Sequence, residues 1–241
     1  MPLLRLASLL LAGLFGPLFA ADRPPNIIFV LADDLGWTDL GAFGSKYYET
    51  PNIDRLAAQG MRLTNHHHCQ NCTPTRAALL SGQYGARTGV YTVGGTDRFD
   101  WSKRPLRPVD NITKLPLDRD TFADQLKKAG YASALIGKWG QLTPSGDPSD
   151  WGFDHELYYK GSGMYWNSKV AQPMSEGGEV RGDPDTYVLD GKTVSVKDDE
   201  YIPDLLHKDA TAWMEAQLSL IHISEPTRQA EISYAVFCLK K

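Results

Sequence analysis

The sequence predicts an α/β domain, a layered architecture around a central, largely parallel sheet. Three observations carry this. Residues 26–32, Asn-Ile-Ile-Phe-Val-Leu-Ala, are an almost unbroken apolar run rich in β-branched and aromatic side chains, the pattern of a strand buried on both faces. Residues 131–136, Tyr-Ala-Ser-Ala-Leu-Ile, repeat that pattern before Gly137-Lys138-Trp139. Between them lie segments with helical spacing and cap residues, so strand and helix alternate.

Each element has a local reason. The first strand runs directly into Asp33-Asp34. Pro51-Asn52 opens a short helix with Ile53, Leu56 and Ala57 on one face and Gly60 at its end. Met61-Arg62-Leu63 reads as a short strand. Thr73 is expected to cap a helix with Pro74 at its first position, which continues through residues 77–80 and stops at Gly82. Thr121 caps another, with Phe122, Leu126 and Ala129 as its stripe and Gly130 as its stop. Residues 141–200 are rich in Gly, Pro, Asp and aromatics and read as long loops on the substrate side. Residues 203–217 read as a helix with Leu205, Leu206, Ala210 and Trp213 on its apolar face.

The chain's 241 residues, 42% of them apolar, suffice for one core. Lys and Arg number 25 against 29 Asp and Glu, a net charge of −4, with no block of like charges; this excludes nucleic acid as an electrostatic partner. Residues 1–20 read as a signal peptide: Arg5 supplies the positive start, residues 6–18 are apolar but interrupted by Gly and Pro, and Leu18-Phe19-Ala20 precedes the cleavage point. The expected location is therefore exported, periplasmic or extracellular, with no membrane attachment after cleavage. Cysteine is scarce for an exported chain: Cys69 and Cys72 form a lone C-x-x-C, too few ligands for a zinc site, and Cys238 stands apart.

The end of the chain reads differently. Residues 218–228, LSLIHISEPTR, back-translate into the transposase end of a common sequencing-library adapter. ISYAVFCL, residues 232–239, resembles the outer part of the same adapter. The expectation is a domain over residues 24–217, truncated at Gln217, followed by a non-native tail over 218–241 in which His222 and Cys238 carry no functional meaning.

In an open α/β sheet, reactive groups collect at the carboxyl ends of strands, where this reading puts Asp33, Asp34 and Lys138. Adjacent aspartates suit a hard cation, Ca²⁺ or Mg²⁺. Arg76 is a permanent forked cation suited to an oxyanion or a carboxylate, and Lys138 is a point charge suited to an anionic substrate. Singly each is an ordinary surface residue; their convergence is what points to a site. Cys72 opens a helix, where the backbone dipole favours negative charge.

The stretches NIIFVLADDLGWTDLGAFG, TPNIDRLAAQGMRLTN, CTPTRAALLSGQYGARTGV and GYASALIGKWG, with WGFDHELYY more loosely, resemble the N-terminal half of a sulfatase of the alkaline-phosphatase-like superfamily. The Cys-x-Pro-x-Arg motif opening a helix is the most specific of these. The resemblance implies that a formylglycine-generating maturation enzyme oxidises Cys72 to formylglycine, with Pro74 and Arg76 serving the recognition signal. It implies Asp33 and Asp34, together with the modified Cys72, as ligands of Ca²⁺ (or Mg²⁺), Arg76 as the holder of the aldehyde hydrate, and Lys138 as catalytic and substrate-binding through the sulfate. The implied reaction is attack of the hydrate on sulfur, departure of the alcohol, and collapse of the sulfate hemiacetal to regenerate the aldehyde. The implied substrate is a sulfated small molecule or glycan.

Two departures stand out. Where the family carries histidine two residues after Lys138, this sequence has Gly140, with His155 as the candidate substitute base. The family's remaining metal ligands, a second lysine and another histidine, would lie beyond Gln217, so the truncated chain is expected to be inactive. His66-His67-His68 reads as a loop near the pocket rather than a metal site. Asn71 and Asn111 begin glycosylation sequons, the first of which would block the site. A phosphate or phosphonate ester hydrolase of the same superfamily and a non-catalytic glycan-binding relative remain the alternatives.

Overall fold

The computed structural model describes residues 24–96, 100–140, 146–159, 172–173, 179–180, 187–196, 200–218 and 234–240. The expected signal peptide lies outside them. The strands are β1 (Ile27–Val30), β2 (Tyr131–Lys138), β3 (His155–Tyr159), β4 (Gln172–Pro173), β5 (Glu179–Val180), β6 (Tyr187–Leu189), β7 (Lys192–Val194) and β8 (Tyr234–Lys240). The α-helices are α1 (Pro51–Gln59), α2 (Cys72–Ser81), α3 (Gly85–Thr88), α4 (Phe122–Lys128) and α5 (Ile202–Leu218).

Six strands form one mixed sheet in the order β1-β8-β2-β3-β6-β7. β2 and β3 pair in parallel, with Ala134 opposite His155 and Lys138 opposite Tyr159. β8 is antiparallel to both β1 and β2, so β1, β2 and β3 run the same way. β8 belongs to the segment read as a non-native tail. It enters the sheet through backbone pairing, which two open strand edges offer to any extended segment. β6 and β7 form a hairpin.

β2 is the spine. Its side chains alternate between two cores, as strand geometry requires. Leu135 packs with Ala77, Leu80, Leu115 and Trp151 on one face, under α2 and α4. Ala134 and Ile136 pack with Leu157, Ile202, Leu206 and Ala210 on the other, under α5. Helices thus cover both faces of this strand, and the α/β layering expected from the sequence is present.

Local chemistry explains the helix ends. Thr121 caps α4 through a reciprocal box: its hydroxyl accepts from the Asp124 N–H at 3.2 Å and its own N–H donates to Asp124 Oδ2 at 2.8 Å. The same hydroxyl donates to the Trp151 carbonyl at 2.7 Å, tying α4 to the loop before β3. α2 begins earlier than its sequence signal. Asn71 is the cap residue, Cys72 holds the first helical position and Thr73 and Pro74 lie inside the first turn. Proline is tolerated there because the N–H it lacks would have no helical partner. Gly82 ends α2 in the left-handed region, φ 64°.

Three expectations are corrected. Residues 61–63 are irregular and exposed rather than a strand; no sheet edge reaches them, and the Arg62 guanidinium instead donates to the Ala42 carbonyl at 2.6 Å. β1 is not buried on both faces: Ile27, Ile28, Phe29 and Val30 are 38%, 58%, 37% and 50% exposed, and an open cavity separates Phe29 from the helix beside it. Its neighbour α1 buries no residue and leaves Ile53 and Leu56 open. Within 141–200, read as loops, β3 and the β6–β7 hairpin are ordered strands. Their signal was Asp190-Gly191 between Tyr187-Val188-Leu189 and Lys192-Thr193-Val194, a two-residue hairpin turn in which both residues need positive φ, here 47° and 75°.

Thr121 is only 1% exposed, so water cannot replace the hydrogen bonds of its hydroxyl. Thr121→Ala is expected to lower stability by about 1–2 kcal/mol, read as a lower urea midpoint with an unchanged denaturant slope.

Candidate functional site

Because β1 and β2 run the same way, their carboxyl ends lie on one rim of the sheet. β1 ends shortly before Asp33, and β2 ends on Lys138. The N-terminus of α2 points to the same rim and brings Cys72 and, one turn on, Arg76. Asp33 and Lys138 are 105 positions apart in the chain, and the sheet makes them neighbours.

Asp33 is the centre. Its Oδ1 accepts from Arg76 Nη2 at 3.1 Å, and its Oδ2 accepts from the Lys138 ammonium. Arg76 Nη1 also donates to the Lys138 carbonyl at 2.9 Å, so one guanidinium joins the ends of both strands. The side chains of Asp33, Arg76 and Lys138 are 16%, 8% and 17% exposed, enough shielding for these charges to act strongly. Burial opposes ionisation of Asp33. The hydrogen bond from Lys138 and the charge of Arg76 outweigh it and hold the carboxyl below the usual carboxylate range. Burial likewise disfavours the Lys138 cation, but the hydrogen bond to Asp33 and the charge and hydrogen bond of Cys72 raise its pKa. Lys138 is therefore bonded to Asp33 and lies near Cys72.

Cys72 is half-buried and carries no disulfide. It lines a cleft of about 340 Å³ with Asp33, Asp34, His68, Asn71, Thr75 and Arg76. Asp34 sits in the left-handed region, φ 58°, which aspartate tolerates better than most residues. The Thr75 hydroxyl donates to the Asn71 carbonyl at 2.6 Å and to the Cys69 carbonyl at 3.0 Å, fixing the turn that presents Cys72. His68 lines the cleft, in keeping with a histidine run read as a loop near the pocket. Sequence reasoning did not single out Thr75, Gln70 or Asn71 as lining residues; their proximity to Cys72 was the available signal.

Gly140 has φ 68° and lies against Arg76. A Cβ there would stand 2.9 Å from Arg76 Nε and closer still to its Cδ. The glycine that replaces the expected histidine is thus the seat of the Arg76 side chain.

His155 does not supply a substitute base. It pairs with Ala134, four residues before Lys138 on β2, or about 13 Å along the strand at the usual rise. Both ring nitrogens are engaged elsewhere, by Asp190 and Asp209. Asn111 is not free for glycosylation. Its Oδ1 accepts from the amides of Tyr91 (2.6 Å) and Thr92 (3.1 Å), and its Nδ2 donates to the carbonyls of Thr92 (3.1 Å) and Gly94 (2.6 Å).

A divalent cation needs more than these residues supply. Asp33 and Asp34 have the right hard oxygens, yet both Asp33 oxygens already accept from Arg76 and Lys138. As a thiol Cys72 adds only sulfur, a soft donor poorly matched to Ca²⁺ or Mg²⁺, whereas formylglycine at this position would offer oxygen. Among the described residues no group of three His, Cys, Asp or Glu side chains could hold a metal ion, the histidines at 66–68 included.

The family model described as Sulfatase matches residues 25–226. A sulfatase of Formosa agariphila is 49% identical over 128 residues, which cover 49% of this chain and 23% of that protein. An arylsulfatase of Klebsiella aerogenes is 32% identical over 215 residues, covering 87% of this chain and 42% of that protein. Among solved structures, Ps i-CgsB in complex with k-i-k-neocarrahexaose is similar at a TM-score of 0.63 and 28% identity, over 85% of this chain and 43% of that one. The chain thus spans less than half the length of these relatives.

Two outcomes are expected. Asp33→Asn leaves two shielded cations without their counter-charge and one of them facing an NH2 group, and is expected to cost about 3–5 kcal/mol. The Asp33 pKa is depressed in the folded state, so its contribution is full above the unfolded value and lost as pH falls through the folded one. Urea midpoints measured through the acid range should fall less steeply in Asp33→Asn than in the parent. Gly140→Ala combines a left-handed backbone with contact on Arg76 and is expected to cost about 1–3 kcal/mol, measured by the same unfolding experiment.

Proposed function

The chain belongs to the sulfatase family, and from that premise we propose that it forms the nucleophile-bearing part of a sulfuric ester hydrolase. The observation that supports this most directly is the cleft that Cys72, Arg76 and Asp33 line together, with Lys138 hydrogen-bonded to Asp33. Cys72 opens its helix within Cys-Thr-Pro-Thr-Arg, the segment a formylglycine-generating maturation enzyme would act on. Formylglycine at this position supplies an aldehyde hydrate, a nucleophile that can be regenerated where a serine ester could not.

The side chains around Cys72 have separable roles in this reading. Lys138 binds a sulfate oxygen and balances its charge, as a cation held beside Asp33 and near Cys72. Asp33 keeps that ammonium aimed at the cleft. Arg76 orients Asp33 and the end of β2, and shares in holding the hydroxyls at Cys72. The N–H groups of the first turn of α2 add a field that favours the anion. Ca²⁺ or Mg²⁺ at Asp33 and Asp34 needs further oxygen ligands, and none of these side-chain roles depends on it.

The substrate class is a sulfate ester, with a sulfated glycan favoured. The name of the arylsulfatase relative and the oligosaccharide bound to Ps i-CgsB support this. The chain as it stands is expected to be inactive: Gly140 replaces the family histidine, His155 is engaged elsewhere, and the cation set is incomplete among the described residues. An exported location follows from the N-terminal segment. The tail over 218–241 is proposed as non-native; sequencing the source gene across codon 217 decides it.

Mass spectrometry of the Cys72 peptide, after co-expression with a formylglycine-generating enzyme, is expected to find an aldehyde. An unmodified thiol would overturn the nucleophile assignment. Paired sulfate and phosphate ester assays on the same material are expected to find neither activity. Robust sulfate release by this chain would overturn its inactivity, and phosphate release alone would overturn the substrate class.

A further inference from the structure

His155 opens β3 and carries a feature the cleft does not use. Its Nδ1 lies 2.9 Å from Asp190 Oδ1 in the β6–β7 turn, and its Nε2 lies 2.9 Å from Asp209 Oδ2 on α5. Ionised carboxylates only accept hydrogen bonds. A neutral imidazole has one N–H and can satisfy one of the two; the other nitrogen would turn a lone pair on an oxygen. The imidazolium alone donates to both.

The surroundings fit a cation. The Trp213 ring on α5 stacks on the imidazole at 6.1 Å between centroids and 11° between planes. The His155 side chain is 14% exposed. Asp190 is held rigidly: its Oδ1 also accepts from the Glu156 N–H at 3.0 Å, and its own N–H donates to the Glu156 carbonyl at 3.0 Å. Three elements therefore converge on one ring.

We infer that protonated His155 is a clasp that joins α5 to β3 and the β6–β7 turn of the sheet, and that loss of its proton loosens α5. The groups facing the ring are Asp190 from the hairpin turn and Asp209 and Trp213 from α5. β2 offers uncharged Ala134 opposite it. Glu156, next along β3, gives its carboxyl to the amides of Ser149 (2.8 Å) and Gly191 (3.1 Å). Burial of the ring opposes its charge, but the hydrogen bond and charge of Asp209, then those of Asp190, raise the His155 pKa above its ordinary value. The stabilisation is therefore complete below the unfolded-state pKa and is lost as pH rises through the folded-state value.

The test uses the full chain. Nitrogen-15 NMR of the histidine rings at about pH 6 should show both nitrogens of His155 protonated. Hydrogen exchange of α5 amides, corrected for intrinsic rates and referenced to α4, should lose protection between about pH 6 and about pH 9. Asp209→Asn should move that loss to lower pH. His155→Gln should have low α5 protection at both ends and no pH dependence beyond that of α4; Glu156 titrates in parent and variant alike and cancels. A single ring N–H on His155 at the acid end overturns the inference, as does an unchanged pH dependence in His155→Gln. If that variant does not fold, the ring spectrum of the parent decides alone.

Discussion

One carboxylate joins the working parts of this molecule. Asp33 stands past the end of β1 and accepts from Arg76 of α2 and Lys138 of β2. Each cation is shielded from water and would be costly without an acceptor, and the carboxylate would be costly without a donor. The three offset each other's desolvation by meeting. Everything chemical at the cleft inherits its geometry from this meeting: Lys138 is held within reach of Cys72, and Arg76 is locked against the end of β2. A charge cluster of this kind gives position more than net stability, because much of the Coulomb gain offsets desolvation.

Gly140 belongs to the same arrangement. The chain turns sharply after Lys138, and Arg76 fills the space beside that turn where any side chain would collide. Gly140 stands where the resemblance predicts a histidine. It goes with a particular seat for Arg76, and the cleft is a consistent packing solution around the glycine.

Order is unevenly distributed. β2, β3, α2, α4 and α5 enclose two cores with both faces of β2 covered. β1 and α1 keep their apolar side chains open, and together with residues 61–63 they border a cavity of about 1020 Å³ that touches the cleft at Leu31, His68 and Thr75. Asp33 is thus held on one side by a packed core and on the other by a strand whose own faces are bare. β1 meets the rest of the sheet through its pairing with β8.

Elements whose signals are local were already legible along the chain. The Thr121 box, the Pro51 start of α1, the glycine stop of α2 and the apolar run of β2 each depend on residues a few positions apart. So was the candidacy of Cys72, Asp33, Asp34, Arg76 and Lys138, from residue type and position at strand and helix ends. What those residues do to one another emerged only on folding. That Asp33 serves two cations, that Gly140 seats Arg76, and that His155 faces two aspartates rather than the cleft all depend on contacts between residues 35 to 105 positions apart or on a sheet register. Exposure of β1 was likewise invisible: an apolar run states that a strand prefers burial, while whether anything covers it depends on the rest of the fold. Hydrophobic pattern is written along the chain, but charge pairing is settled only where the chain returns to itself.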